Sequence, residues 1–280
     1  HGRNVAVGFM SLNALNAGGD SYNTAVGYIA GAALTTGTAN TLVGGLSGDS
    51  ITTGSFNVAM GYGTLGLEDT GNKSVAIGYN ALATQNYDGD AYNVAVGHNA
   101  GTNVTTGVQN TIIGSFAGDA LTTGSFNIAI GYSALSTEDN HGKNIAIGYR
   151  ALSSQNAGAE AFNVAIGFDS GRSISTSTNN VLIGGFTGDA LTEGNNNTAI
   201  GYSTLGAETL GDRNVAIGNF ALQVQNNTSN TDVYNTAVGY AAGNTISTGV
   251  QNTLIGGLAG DALTTGQDNV ALGYRALTTE

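Results

Sequence analysis

The smallest regular unit along this chain is a five-residue phrase: a polar residue, a β-branched one, usually Ala, a large aliphatic, then Gly, as in Asn214-Val215-Ala216-Ile217-Gly218. It closes on sixteen glycines, from Gly8, Gly27, Gly44 and Gly61 to Gly273. The first position is Asn in fifteen cases and Ser74 in the other. Residues two apart share a strand face, so the β-branched and aliphatic positions form one apolar face and Ala lies on the other. Each phrase therefore predicts a short strand. Most glycine intervals span about 17 residues and every fourth is longer, so a unit of about 70 residues recurs from Gly8 to Gly78, Gly148 and Gly218. A rung of about 17 residues has room for two short strands and two turns, the turns supplied by Thr-Thr-Gly at 35–37, 52–54 and 122–124.

Rungs this short predict an all-β fold. It is a single parallel β-solenoid of about 16 rungs of about 17–21 residues, grouped in four units of about 70 residues that form one continuous repeat domain over residues 1–280. At a strand spacing of ~4.8 Å, sixteen rungs make a rod about 75 Å long. The Asn positions then stack into a ladder whose side chains bond the backbone at a turn and the amide of the next rung. The glycines form a second ladder, required where φ is positive or a neighbouring backbone leaves no room for a Cβ.

Composition narrows the function. Forty-five glycines and no proline suit tight turns between ladders that cannot spare an N–H. The absence of cysteine leaves the redox compartment open. A balance of 7 basic to 19 acidic residues, net −12, opposes nucleic acid and anionic lipid as partners. No apolar run reaches the ~20 residues of a membrane helix, and the amino end does not read as a signal peptide. Both ends fall in mid-repeat, which predicts a segment of a longer repetitive chain or a subunit that stacks end to end.

The pentads Asn214-Val215-Ala216-Ile217-Gly218 and Asn144-Ile145-Ala146-Ile147-Gly148 resemble the head repeat of trimeric autotransporter adhesins. The phrase Asn235-Thr236-Ala237-Val238-Gly239-Tyr240 is similar to repeats of phage-type tail fibres and related extracellular fibre proteins. The resemblance implies a left-handed parallel β-roll, a homotrimer or filament, and a location outside the cell, at its surface or on a virion. The rung here is longer than the adhesin head rung, and no stalk or anchor accompanies it.

Chemistry is sparse. His1, His98 and His141 are scattered, no Ser/His/Asp set can be assembled, and no cofactor or catalytic residue is expected. Three features recur once in each of the four longer units. In the first, the strand Ala becomes Leu42, Ile112, Leu182 or Leu254, and an apolar residue follows at Leu46, Phe116, Phe186 or Leu258. By alternation each pair shares the face opposite the aliphatic ladder. The pair reads first as interior packing and second as a stripe for self-association.

The second feature is the column Asp49, Asp119, Asp189 and Asp261, read as turn caps, with Ca²⁺ between three chains as the alternative. The third is the set of lengthened rungs at 16–22, 86–92, 156–162 and 226–234. These form a column of loops carrying Tyr22, Tyr87, Tyr92, Phe162 and Tyr234 beside carboxylates, suited to a cell-surface glycan or protein, or simply to anchoring the loop. The doublets Glu68/Asp69 and Glu138/Asp139 are expected to pair with Lys73 and Lys143. Arg3, at the same repeat position, is expected to find Glu280 of a neighbouring unit. The favoured function is a structural fibre or adhesin; the alternative is a binding module that uses the loops.

Overall fold

The computed structural model describes residues 2–279. The chain is all-β, a parallel solenoid with a period of about 17 residues. It divides into two compact units, residues 1–142 and 143–280. In the first unit one strand per turn gives β1 (Val5–Val7), β2 (Thr24–Val26), β3 (Thr41–Val43), β4 (Val58–Met60), β5 (Val75–Ile77), β6 (Val94–Val96), β7 (Thr111–Ile113) and β8 (Ile128–Ile130). The second unit carries β9 (Ile145–Ile147), β10 (Val164–Ile166), β11 (Val181–Ile183), β12 (Thr198–Ile200), β13 (Val215–Ile217), β14 (Thr236–Val238), β15 (Thr253–Ile255) and β16 (Val270–Leu272). Within each unit consecutive strands pair in parallel with like on like, as in Val94↔Thr111, Ala95↔Ile112 and Val96↔Ile113.

Each turn carries one strand, not the two its length allows. The residue before the ladder Asn and the residues second and fourth after the pentad glycine all take positive φ, for example Gln109 (57°), Phe116 (57°) and Gly118 (49°). That many left-handed residues in one turn leave no second extended stretch. The pentad glycines are compelled as well: Gly27 sits at φ 144°, and a Cβ there would stand 2.2 Å from the carbonyl oxygen of Gly44 in the next turn.

The small side of the strand faces in. Ala25, Ala59, Ala76 and Ala95 are fully buried, whereas the flanking aliphatics are half-exposed on the outside. Inside, each ladder Asn is locked to its neighbours. Asn40 donates its amide N–H to Asn23 Oδ1 at 2.9 Å and its Nδ2 to the same oxygen at 3.1 Å, and Nδ2 also reaches Gly54 O at 2.8 Å. Asn180 repeats all three bonds in the second unit, and Asn57 and Asn197 repeat the backbone bond to the previous Asn Oδ1 and the Nδ2 bond to a glycine carbonyl. Where a long turn follows, the link is made by glutamine: Gln85 donates to Glu68 Oε2 at 2.8 Å and accepts from Asn93 Nδ2 at 2.9 Å. Gln225 does the same between Glu208 and Asn235.

The enlarged strand residues do not share a face with their followers. Leu42, Ile112, Leu182 and Leu254 are fully buried in the interior, so they offer nothing to a second chain. Their bulk fills space released by glycines: a Cβ on Gly31 would lie 2.6 Å from Leu42 Cδ1, and one on Gly101 would lie 2.8 Å from Ile112 Cδ1. Turns with Leu at that inner position, such as Leu65 and Leu82, keep Ala in the strand. By contrast, Phe116 and Phe186 stand outside, tilted against the exposed rings of His98 and Phe168. The positive φ of the residue two after the glycine breaks the strand alternation that would have put both members on one side.

Because Ile112 fills a dry interior slot, Ile112→Ala should cost about 2–4 kcal/mol in denaturant unfolding without changing the sedimentation coefficient of the folded protein. A loss below ~1 kcal/mol would mean that the slot collapses freely or that the side chain is not interior.

Candidate functional site

The lengthened turns build a clamp. Lys73, just before Ser74 of the ladder, lies 2.6 Å from Asp90 Oδ2 and 5.1 Å from the centre of the Tyr92 ring, both in the next turn. Lys143 is held in the same way by Glu160 at 3.0 Å and Phe162 at 5.2 Å. Arg3 pairs with Asp20 at 3.2 Å and lies over Tyr22; Arg213 pairs with Asp232 and lies over Tyr234. Hydrogen bonding to Asp90 pushes the Lys73 ammonium up, and that bond holds the Asp90 carboxyl below the usual range.

The expected pairing of these cations with the preceding doublets is thereby corrected. The two residues that lengthen the next turn carry its carboxylate and ring over the cation, while Glu68 turns inward. Arg3 already has its partner in Asp20; Glu280 lies outside the described residues. The loop rings Tyr22, Tyr92, Phe162 and Tyr234 each have one face taken by a cation, while Tyr87 packs against Gly89.

Glu68, Glu138 and Glu208 are fully buried. Glu68 Oε1 accepts the amides of Asp69 at 3.0 Å and Gly71 at 2.7 Å, and burial pushes its carboxyl up. In the middle copy histidine replaces that glycine. Glu138 Oε1 accepts the His141 amide at 3.2 Å and lies 3.5 Å from His141 Nδ1; with Asp139 these make the one group of three metal-ligating side chains among the described residues. Sequence reading passed over it because His141 stood alone. The signal was its substitution for Gly71 and Gly211 three residues after a buried Glu. The same turn around Glu68 and Glu208 is complete without His or metal, so a structural role accounts for the carboxylate.

The aspartate column is only half-buried, and burial pushes the carboxyls of Asp49, Asp119 and Asp189 up. Asp119 Oδ1 and Asp261 Oδ1 are shielded from water without a hydrogen-bond partner. None of the four is grouped with two further acidic or histidine side chains among the described residues. Around Asp189 lies an open groove of about 490 Å³, walled by Phe186, Tyr202, Ser203, Gly206, Ala207, Gln223 and Val224.

Phe186 meets Tyr202 edge to face at 5.8 Å and 82°. The first unit repeats the trio as Phe116, Asp119 and Tyr132, with the rings 6.0 Å apart at 77°. Gly185, at the position after the pentad glycine where most turns place a ring, adds no ring to this wall. Arg172, 3.8 Å from Asp189, also contacts the buried Asp169, which takes a two-pronged bond from Arg150.

No protein-family model, curated protein or solved structure matches this chain. The functional reading therefore rests on geometry.

The outer sheet face completes it. Every outward strand residue is Val, Ile, Thr, Met or Leu, none charged, in a chain of net charge −12. Beside this face runs a column of exposed rings, with Tyr62, Tyr79 and His98 stacked 5.1–5.7 Å apart.

Glu68, Asp49, Asp119 and Asp189 all bind a proton more tightly folded than unfolded, so their charging opposes folding. That penalty is absent below the ordinary carboxylate range near about 4 and grows as pH rises through their raised values. The thermal midpoint, followed by circular dichroism, should therefore rise as pH falls through those raised values toward the ordinary carboxylate range near about 4. Asp189→Asn should flatten the slope. A midpoint that falls over this interval would show that depressed carboxyls such as Asp90 dominate.

Proposed function

We propose that the chain is a structural segment of a self-associating extracellular fibre or adhesin, and that its copies dock through the uncharged outer sheet face. The observation that carries this reading is the segregation of charge. Nineteen acidic and seven basic residues are distributed over the chain, yet none stands at an outward strand position on either unit. Ile113, Met60 and Ile255 on that face are 37–40% exposed. An uncharged, largely aliphatic face of this kind on each unit is characteristic of a covered surface. Its occupant is a second copy, because a ladder of identical turns offers the same spacing to itself and a uniform strip needs a uniform partner.

The resemblance to adhesin heads and tail-fibre repeats supports three copies and a location at a cell or virion surface. Leu46 and Leu258 lie beside this face at the edge of the contact, whereas Phe116 and Phe186 belong to the aromatic walls described above. The interior polar ladder needs no ligand and leaves a scaffold, with no catalytic group, as the product. The alternative of a receptor site on the long loops is weakened by the cations that occupy their rings.

Sedimentation of the 27.9 kDa chain should show an oligomer at micromolar concentration. Ile113→Asp combined with Ile255→Asp should yield monomer with unchanged far-ultraviolet circular dichroism. A wild-type monomer would contradict the reading. If the double variant unfolds, Met60→Lys serves in its place, and dissociation with the fold retained is again the expected result.

A further inference from the structure

Going beyond the fibre reading and independent of it, we propose that the groove around Asp189 is a binding site for a neutral saccharide, and that the Phe116–Asp119–Tyr132 trio forms a second copy. The argument starts from what the groove leaves unmet. Asp189 is half-buried, and its nearest ionic partner, Arg172, is 3.8 Å away, too far for a hydrogen bond. No side-chain hydrogen bond reaches its carboxylate among the described residues, and in the copy Asp119 Oδ1 is shielded with no partner at all. A desolvated carboxylate short of donors is completed by groups that bring them, and adjacent hydroxyls of a pyranose can bond its two oxygens together.

The rest of the groove fits the same ligand. Tyr202 is 47% exposed and meets Phe186 and Phe220 nearly at right angles, at 5.8 and 5.7 Å, so part of its apolar ring surface is presented beside the carboxylate. Sugars carry an apolar C–H face and a polar rim, the complement of an aromatic ring next to Asp, Ser203 and the Gln223 amide. The volume of about 490 Å³ is in the range for a small ligand.

Charge selects among sugars. A net charge of −12 and a carboxylate at the centre disfavour sulfated or uronic chains. The loop rings Tyr22, Tyr92, Phe162 and Tyr234 fail where this groove succeeds, because a cation already sits on one face of each. Gly185 and its counterpart Ser115 stand where most turns carry a surface ring.

The test is titration of the full chain with maltohexaose, cellohexaose, chitohexaose, mannohexaose and galactohexaose, read by tyrosine fluorescence and by saturation-transfer NMR. At least one should bind, near two per chain. Tyr202→Ala with Tyr132→Ala should weaken it by at least about tenfold, as should Asp189→Asn with Asp119→Asn, while Tyr92→Ala leaves it unchanged. Two distinct pairs guard against loss of fold, which circular dichroism checks.

Absence of binding by all five at about 10 mM overturns the proposal. So does binding that survives both pairs, or that falls equally with Tyr92→Ala. Ca²⁺ heats that vanish in the aspartate pair, with no sugar response, would reassign the carboxylates to a cation. The fibre reading is tested by sedimentation and is untouched by any of these results.

Discussion

A buried asparagine that accepts two hydrogen bonds from the asparagine one turn on is the contact on which the rest of this structure depends. Its Oδ1 takes the backbone N–H and, in turns such as those of Asn110, Asn180 and Asn252, the side-chain Nδ2 as well, while its own Nδ2 closes the turn on a carbonyl 14 residues ahead, as Asn110 does on Gly124 at 2.9 Å. Leaving a buried amide or carbonyl unpaired costs roughly 1–3 kcal/mol, so one displaced turn would orphan several groups at once. This is a register device. Hydrophobic burial alone could not supply it, since the inward strand residue is mostly Ala and gives little shape to read.

The other features follow from keeping that ladder in line. Turns must approach closely, which excludes a Cβ at the pentad glycine. A short coil must bend several times, which places ordinary residues such as Gln109 and Phe126 in the left-handed region at a cost of roughly 1–2 kcal/mol each. Such strain persists only when each turn is fixed by those on either side. Where two or more residues are inserted, Gln85 and Gln225 carry the polar line past the insertion to a buried glutamate. Outside, the lysine or arginine of the previous turn pins the longer loop through a carboxylate and a ring.

Much of this was legible in the sequence, because a repeat states its register many times. The solenoid, the period, the asparagine ladder and the glycine column all follow from spacing. What misled was extension of strand alternation beyond the strand: Leu42 and Leu46 are four apart and seemed to share a face until the positive φ of Leu46 turned it outward. Glu68 was read as a surface charge because nothing local shows that its partners are the amides of Asp69 and Gly71 and a glutamine 17 residues on. The groove at Asp189 was missed for a related reason. Its walls come from three successive turns.

Residue-resolved amide hydrogen exchange tests the central claim most directly. The account predicts that the amides of Asn40, Asn57, Asn110, Asn180 and Asn197, which lie outside the three-residue strands, exchange as slowly as the strand amides and open only with the global transition. Exchange of these asparagine amides at the rate of the exposed turn residues beside them, with the strands still protected, would show that the ladder does not hold the turns in register.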